Sequence, residues 1–199
     1  MIGLKFFFLF TQIILPVTVV AQFIVHSEIF ENGNVKSLTY HQKTYNGIKK
    51  VKYEEFFENG NKYIEGVYKS DKKHGIWREW NVNGKKISKG AYENGQKDGF
   101  WIGWYENGNK EGEVTWLNGQ EDGLWILWYD NGQKRRELIW VNGKRDGKCI
   151  EWYDNGQKKL EGFWVEGKKN GQWNYWYENG KMIKDEIHEF GELKIEKWY

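Results

Sequence analysis

The feature that most constrains this chain is its periodicity. The pair Asn-Gly recurs at Asn59-Gly60, Asn83-Gly84, Asn107-Gly108, Asn131-Gly132, Asn155-Gly156 and Asn179-Gly180, each 24 residues after the last. Asn32-Gly33 joins the same column after a three-residue slip. A second glycine column runs Gly75, Gly99, Gly123, Gly147, Gly171. Tryptophans keep step at Trp80, Trp104, Trp128, Trp152 and Trp176, and nearly so at Trp77, Trp101, Trp125 and Trp173. A further aromatic column reads Tyr68, Tyr92, Trp116, Trp140, Trp164. Self-similarity at a fixed period means that each unit is one supersecondary element that buries its apolar surface only by stacking on its neighbours.

Each unit reads as two β-strands. Asn-Gly between apolar runs is a strong hairpin signal, because both residues tolerate the positive φ of a type I′ turn. In the unit Phe100–Tyr105, Asn107-Gly108, Lys110–Leu117, a two-residue turn would pair Tyr105 with Lys110, Trp104 with Glu111, Ile102 with Glu113 and Trp101 with Val114. Alternation then sets Trp101, Tyr105, Val114 and Trp116 on one face and Phe100, Ile102 and Trp104 on the other. The second glycine column marks sites needing positive φ or close backbone approach. The expected fold is all-β, an elongated single-layer antiparallel meander of 24-residue hairpin repeats. Burying each aromatic contributes up to about 2–3 kcal/mol, so the aromatic columns are the expected source of stability.

Composition closes off other classes. Aromatics make up 18% of the chain and mean hydropathy is −0.83, with charged residues at 29% spread along its length. Such a chain is neither a multipass membrane protein nor disordered, and a single proline excludes collagen. One cysteine forms no intramolecular disulfide and no thiolate metal cluster. A net charge of +2 predicts no nucleic-acid partner. Met1–Ala21 differs from the rest: Lys5, the apolar run Phe6–Leu15, Pro16, and small residues before Gln22 are the parts of a secretory signal peptide cleaved after Ala21. The expected organisation is a signal peptide over 1–21, an irregular N-terminal capping repeat over 22–56, and a repeat array with a degenerate C-terminal cap over 57–199. The expected location is the periplasm, the outer surface or the extracellular space.

Units such as Trp152-Tyr-Asp-Asn-Gly-Gln-Lys-Lys-Leu-Glu-Gly-Phe-Trp and Gly167-Lys-Lys-Asn-Gly-Gln-Trp resemble the variant MORN repeat, whose pattern is roughly aromatic-Tyr-x-Asn-Gly-x-x-x-x-x-Gly-x-aromatic followed by Gly-Lys-x-x-Gly-x-aromatic. The resemblance covers about residues 28–199, and bacterial chains built only of such units are similar to the YwqK-type, antitoxin-like family. It implies a β-hairpin array used for interaction and implies no chemistry. The sequence departs from the pattern at Cys149, which replaces a column Trp, at Asn81, which replaces a Tyr, and at Phe190-Gly191, which stands where Asn-Gly would fall.

No residue set points to catalysis, a cofactor or a metal. His26, His41, His74 and His188 occupy different columns and are expected at the surface. The acidic column Asp98, Asp122, Asp146 is ordinary turn chemistry before glycine. Lys62, Lys86, Lys110, Lys134 and Lys158, with Glu65, Glu113, Glu137 and Glu161 nearby, read as a charge-balanced solvated edge. The expected function is therefore a non-enzymatic exported scaffold with a protein or envelope partner. The candidate contact stripe is Trp80, Trp104, Trp128, Trp152 and Trp176. The alternatives are a glycan- or cell-wall-binding module using exposed Trp/Tyr stripes, a membrane-surface contact, and an antitoxin- or immunity-like inhibitor.

Overall fold

The computed structural model describes residues 23–199, so the expected signal peptide lies outside the described residues. The chain runs through β1 (Phe23–Ile29), β2 (Val35–Thr44), β3 (Gly47–Phe56), β4 (Lys62–Lys69), β5 (Lys72–Trp80), β6 (Lys86–Glu93), β7 (Gln96–Trp104) and β8 (Lys110–Leu117). It continues through β9 (Gln120–Glu121), β10 (Gly123–Trp128), β11 (Lys134–Val141), β12 (Lys144–Trp152), β13 (Lys158–Val165), β14 (Lys168–Trp176), β15 (Met182–Glu189) and β16 (Glu192–Trp198). All belong to one open antiparallel sheet in sequence order, and the described residues contain no helix. The short β9 pairs β8 beside the main path, so β9 and β10 together take the place of one strand.

Two turn types alternate. At one edge the loops are two residues long: Glu93 pairs with Gln96 and Leu117 with Gln120. Asn94 and Gly95 both take positive φ, as do Asn118 with Gly119 and Asn142 with Gly143. This is the type I′ chemistry. The column Asn83-Gly84, Asn107-Gly108, Asn131-Gly132, Asn155-Gly156 and Asn179-Gly180 lies at the opposite edge and is built differently. There Gly108 N–H donates to Tyr105 O at 2.9 Å and Tyr105 N–H to Asn109 O at 2.9 Å, and only the glycine has positive φ. The loop is three residues long and ends in a bulge, so Trp104 pairs with Lys110 instead of Glu111, while Ile102–Glu113 and Trp101–Val114 pair as expected.

The asparagine in this second column acts through its side chain. Asn107 Oδ1 accepts from Asn109 N–H at 2.9 Å, and its amide donates to Asp130 O at 2.6 Å in the next unit. The same reach links Asn59 to Val82 O, Asn131 to Asp154 O and Asn155 to Glu178 O. Beside them, the hydroxyls of Tyr105, Tyr129 and Tyr153 donate to Trp128 O, Trp152 O and Trp176 O at 2.7–2.9 Å. These turns are thus tied to the ones after them, and at Asn83 the link is made instead by Lys85, whose Nζ donates to Glu106 O at 2.8 Å.

Burial is concentrated on one face. Trp77, Trp101, Leu138, Cys149 and Trp173 are buried there. They interleave with the column of Tyr68, Tyr92, Trp116, Trp140 and Trp164, so that a flat-sheet spacing near 10 Å becomes a ladder of ring contacts. The centroid distances are 5.3 Å for Tyr68–Trp77, 6.0 Å for Trp77–Tyr92, 5.1 Å for Tyr92–Trp101, 5.4 Å for Trp116–Trp125, 5.5 Å for Trp125–Trp140 and 5.1 Å for Trp164–Trp173. The outermost strands β1 and β16 are exposed along their whole length.

Candidate functional site

The aromatic ladder is threaded by cations from the strand following each two-residue turn. Lys73 Nζ lies 4.1 Å from the Trp77 ring and 5.0 Å from Tyr92, Lys97 4.4 Å from Trp101 and 4.8 Å from Trp116, and Lys169 4.8 Å from Trp173. The Arg145 guanidinium is 4.9 Å from Trp164. Each contact is worth on the order of 0.5–1 kcal/mol. Burial pulls the Lys73 ammonium below its ordinary pKa. Glu121 occupies the matching position in the unit where β9 and β10 are divided.

Two hollows interrupt this face, and the larger lies over β7 and β8. The pairs Glu55–Ile64, Glu79–Ser88, Gly103–Gly112, Leu127–Arg136, Glu151–Leu160 and Tyr175–Lys184 occupy the same place in successive units. Among the described residues, only Gly103–Gly112 places no side chain there. A cleft of about 370 Å³ opens above it. Trp101, Trp116 and Trp125 wall the cleft with Val114 and Leu127, while Glu79, Ser88, Lys97, Glu111 and Arg135 contribute polar groups. The indole N–H groups of Trp101 and Trp125 donate to Ala91 O at 2.9 Å and Thr115 O at 3.0 Å, which fixes both rings before anything binds. Ser88 Oγ donates to Glu79 at 3.0 Å.

Backbone geometry does not explain both glycines. Neither Gly103 nor Gly112 has a positive φ. A Cβ at Gly103 would meet nothing nearer than 3.6 Å, whereas one at Gly112 would come within 3.0 Å of Leu127. Gly112 is needed to make room for a neighbour, and Gly103 leaves room unfilled. Period searching passes over this pair because it is a departure from the columns. Aligning the units would have exposed it, but that the two departures face each other follows only from the bulged register.

The candidate stripe lies on the opposite face. Trp80, Trp104, Trp128, Trp152 and Trp176 are all half-buried there. A lysine from the preceding unit covers each: Lys62 at 5.8 Å from Trp80, Lys86 at 5.8 Å from Trp104, Lys110 at 5.6 Å from Trp128, Lys134 at 6.0 Å from Trp152 and Lys158 at 5.7 Å from Trp176. Lys62 pairs with Glu65 at 2.6 Å and Lys158 with Glu161 at 2.8 Å, and Lys110–Glu113 and Lys134–Glu137 pair in the same way. Lysine stems thus roof the stripe and carry a balanced row of charge above it. More openly apolar on this face are Phe100, Leu124 and Phe163, each about half exposed.

Two buried carboxylates mark the ends of the array. Burial alone would raise Glu54, but hydrogen bonds from Lys62, Tyr40 and Lys52 overcome it and hold the carboxyl at about 2. Burial likewise opposes ionisation of Glu186, and His188, Lys184, Tyr175 and Lys169 together hold it well below the usual carboxylate range. His188 is therefore not the surface residue its sequence position suggests. It is 9% exposed, with Nε2 at 2.9 Å from Glu186. His74 is half-buried and meets Glu93 at 3.0 Å. Cys149 is buried, and burial pushes its thiol pKa up. No cluster of three or more His, Cys, Asp or Glu side chains suited to a metal occurs among the described residues.

Residues 121–142, 145–166 and 169–187 match the family model described as the MORN repeat variant, so the chain carries MORN-variant repeats in three consecutive units. The narrower YwqK-type resemblance rests on the sequence pattern alone. No curated protein matches the chain. Among solved structures, a crystal structure of a Bacteroides fragilis protein of unknown function is 11% identical, with 90% of this chain and 93% of that one covered at a TM-score of 0.17. A likeness that low carries no argument about function.

Proposed function

We propose that this array of MORN-variant repeats is an exported, non-catalytic binding scaffold that presents a protein or envelope partner with the same set of side chains at successive steps along one sheet. The observation that carries the reading is the tie between consecutive units. Turn asparagines, tyrosine hydroxyls and interleaved rings each join a unit to the one after it, which gives a surface that is rigid over many strands. A surface so repeated suits many modest contacts in register better than one focused reaction centre. The family match agrees with a repeat-based binding role. Export is supported by the composition of residues 1–21, with a charged start, an apolar run and small residues before Gln22.

The test is retention of a partner from periplasmic and surface extracts by the immobilised chain, with parallel fractionation of cells expressing it. The expected outcome is a component retained saturably and a chain found outside the cytosol and shortened by residues 1–21. Recovery of no partner from any fraction would overturn the scaffold reading. A full-length cytosolic chain would overturn export.

A further inference from the structure

We infer that the hollow over Gly103 and Gly112 is a binding site for a neutral saccharide; this deepens the binding role proposed above and rests on it. The charge arrangement selects the ligand class. Glu79, Glu111, Lys97 and Arg135 contribute two charges of each sign, and none of the four is paired with an opposite charge among the described residues. An added cation would compete with Lys97, which already sits 4.4 Å from Trp101 and 4.8 Å from Trp116. An added anion would meet the two carboxylates. A neutral molecule rich in hydroxyls meets neither obstacle, since each hydroxyl both donates and accepts. Carboxylates take its protons, and the guanidinium and ammonium groups donate to its oxygens.

Shape points the same way. The floor is backbone and the walls are indole rings, two of them pinned by their N–H groups, so the C–H face of a pyranose ring can lie against an aromatic plane without rearranging the site. The volume of about 370 Å³ falls near the lower end of the roughly 300–1,000 Å³ typical of small-ligand sites. Gly103 is free to carry a side chain on grounds of both φ and space, and the equivalent residue of the next unit is Leu127. Glycine at this position therefore keeps the hollow open where the fold itself would accept a leucine.

The experiment titrates the full chain with glucose, galactose, mannose, N-acetylglucosamine and their short oligomers, following tryptophan fluorescence and calorimetric heat. The expected result is saturable binding of at least one of them. Gly103→Leu fills the hollow and should weaken that binding at least tenfold while leaving the melting midpoint unchanged. Arg135→Ala removes an exposed rim donor without touching the ladder and should weaken it severalfold, which keeps the test decisive should the leucine variant fold poorly. Absence of saturable binding across the panel overturns the assignment, as does undiminished affinity in both variants. Partner retention from envelope extract by wild type and Gly103→Leu alike would leave the scaffold reading standing even then, so the two readings fail separately.

Discussion

The units around Trp173 and around Cys149 solve one packing problem in two ways. Trp173 is 1% exposed and lies over Gly162, where an added Cβ would come within 2.2 Å of the indole. Gly66 under Trp77 and Gly90 under Trp101 are equally closed, at 2.1 Å and 1.9 Å. One repeat before Trp173, the same two positions hold Cys149 and Leu138, paired directly and 4% and 3% exposed. The volume has moved across the strand pair: where the ring is lost, its partner grows from nothing to an isobutyl group. The exchange is incomplete, because a hollow of about 120 Å³ lined by Leu138, Cys149, Leu160 and Trp164 remains. What repeats every 24 residues is thus a shared cell of fixed size, and single columns vary so long as the pair fills it.

Breaking the tightest cell should have the largest effect. Trp173→Ala is expected to cost about 3–5 kcal/mol, with loss of a cooperative melt at the C-terminal end, read by calorimetry. Gly162→Ala should cost roughly 1–3 kcal/mol, since the methyl group meets backbone-anchored indole, Trp173 Nε1 being bonded to Phe163 O at 3.1 Å. An unchanged melting temperature in Gly162→Ala would mean that the Gly–Trp contact is looser than described. The comparison is sharpened by interconversion: Cys149→Trp and Leu138→Gly should each destabilise, and the double variant should recover about 0.5–3 kcal/mol of their sum as coupling. Strict additivity would show that the two positions do not share a cell.

The cells also differ in their response to pH. Trp173 pairs with Glu186, whose carboxyl is held well below the usual range, whereas Cys149 pairs with Gly162. A depressed folded-state pKa adds stability above the unfolded value of about 4.3, and that stability is lost as pH falls below it. Acid should therefore loosen the Trp173 cell before the Cys149 cell, by hydrogen exchange of their indole and amide protons. Glu186→Gln should lower stability at neutral pH and flatten its fall in acid. The smallest effect is expected from Asn155→Ala, which removes the 3.0 Å bond to Glu178 O and the 2.9 Å bond accepted from Gln157 N–H at an exposed turn and should cost about 0.5–1.5 kcal/mol.

Much of this was legible in the sequence because it repeats. The period, the two strands per unit, the opposite faces of Trp101 and Trp104, and the Ile102–Glu113 and Trp101–Val114 pairs all follow from alternation and column spacing. Turn geometry was less so: Asn107-Gly108 and Asn118-Gly119 share a dipeptide, yet only the second places both residues at positive φ. The difference lies in loop length, three residues at Asn107-Gly108 and two at Asn118-Gly119, which the dipeptide alone does not specify. His188 and Glu186 were hidden because their burial depends on Lys169, Tyr175 and Lys184 converging from two strands. For Gly103 and Gly112, the informative signal was an absence of side chain at two columns, and columns are recognised by what they contain.

The sheet ends where its units end, with β1 and β16 each paired on one side and exposed throughout. Nothing in the topology sets the number of strands between them. At about 4.8 Å per strand, duplicating or deleting one unit would move the two edges apart or together by roughly 10 Å while each surviving unit kept its neighbours. Length is consequently a trait that gene duplication can adjust in discrete increments of one hairpin unit.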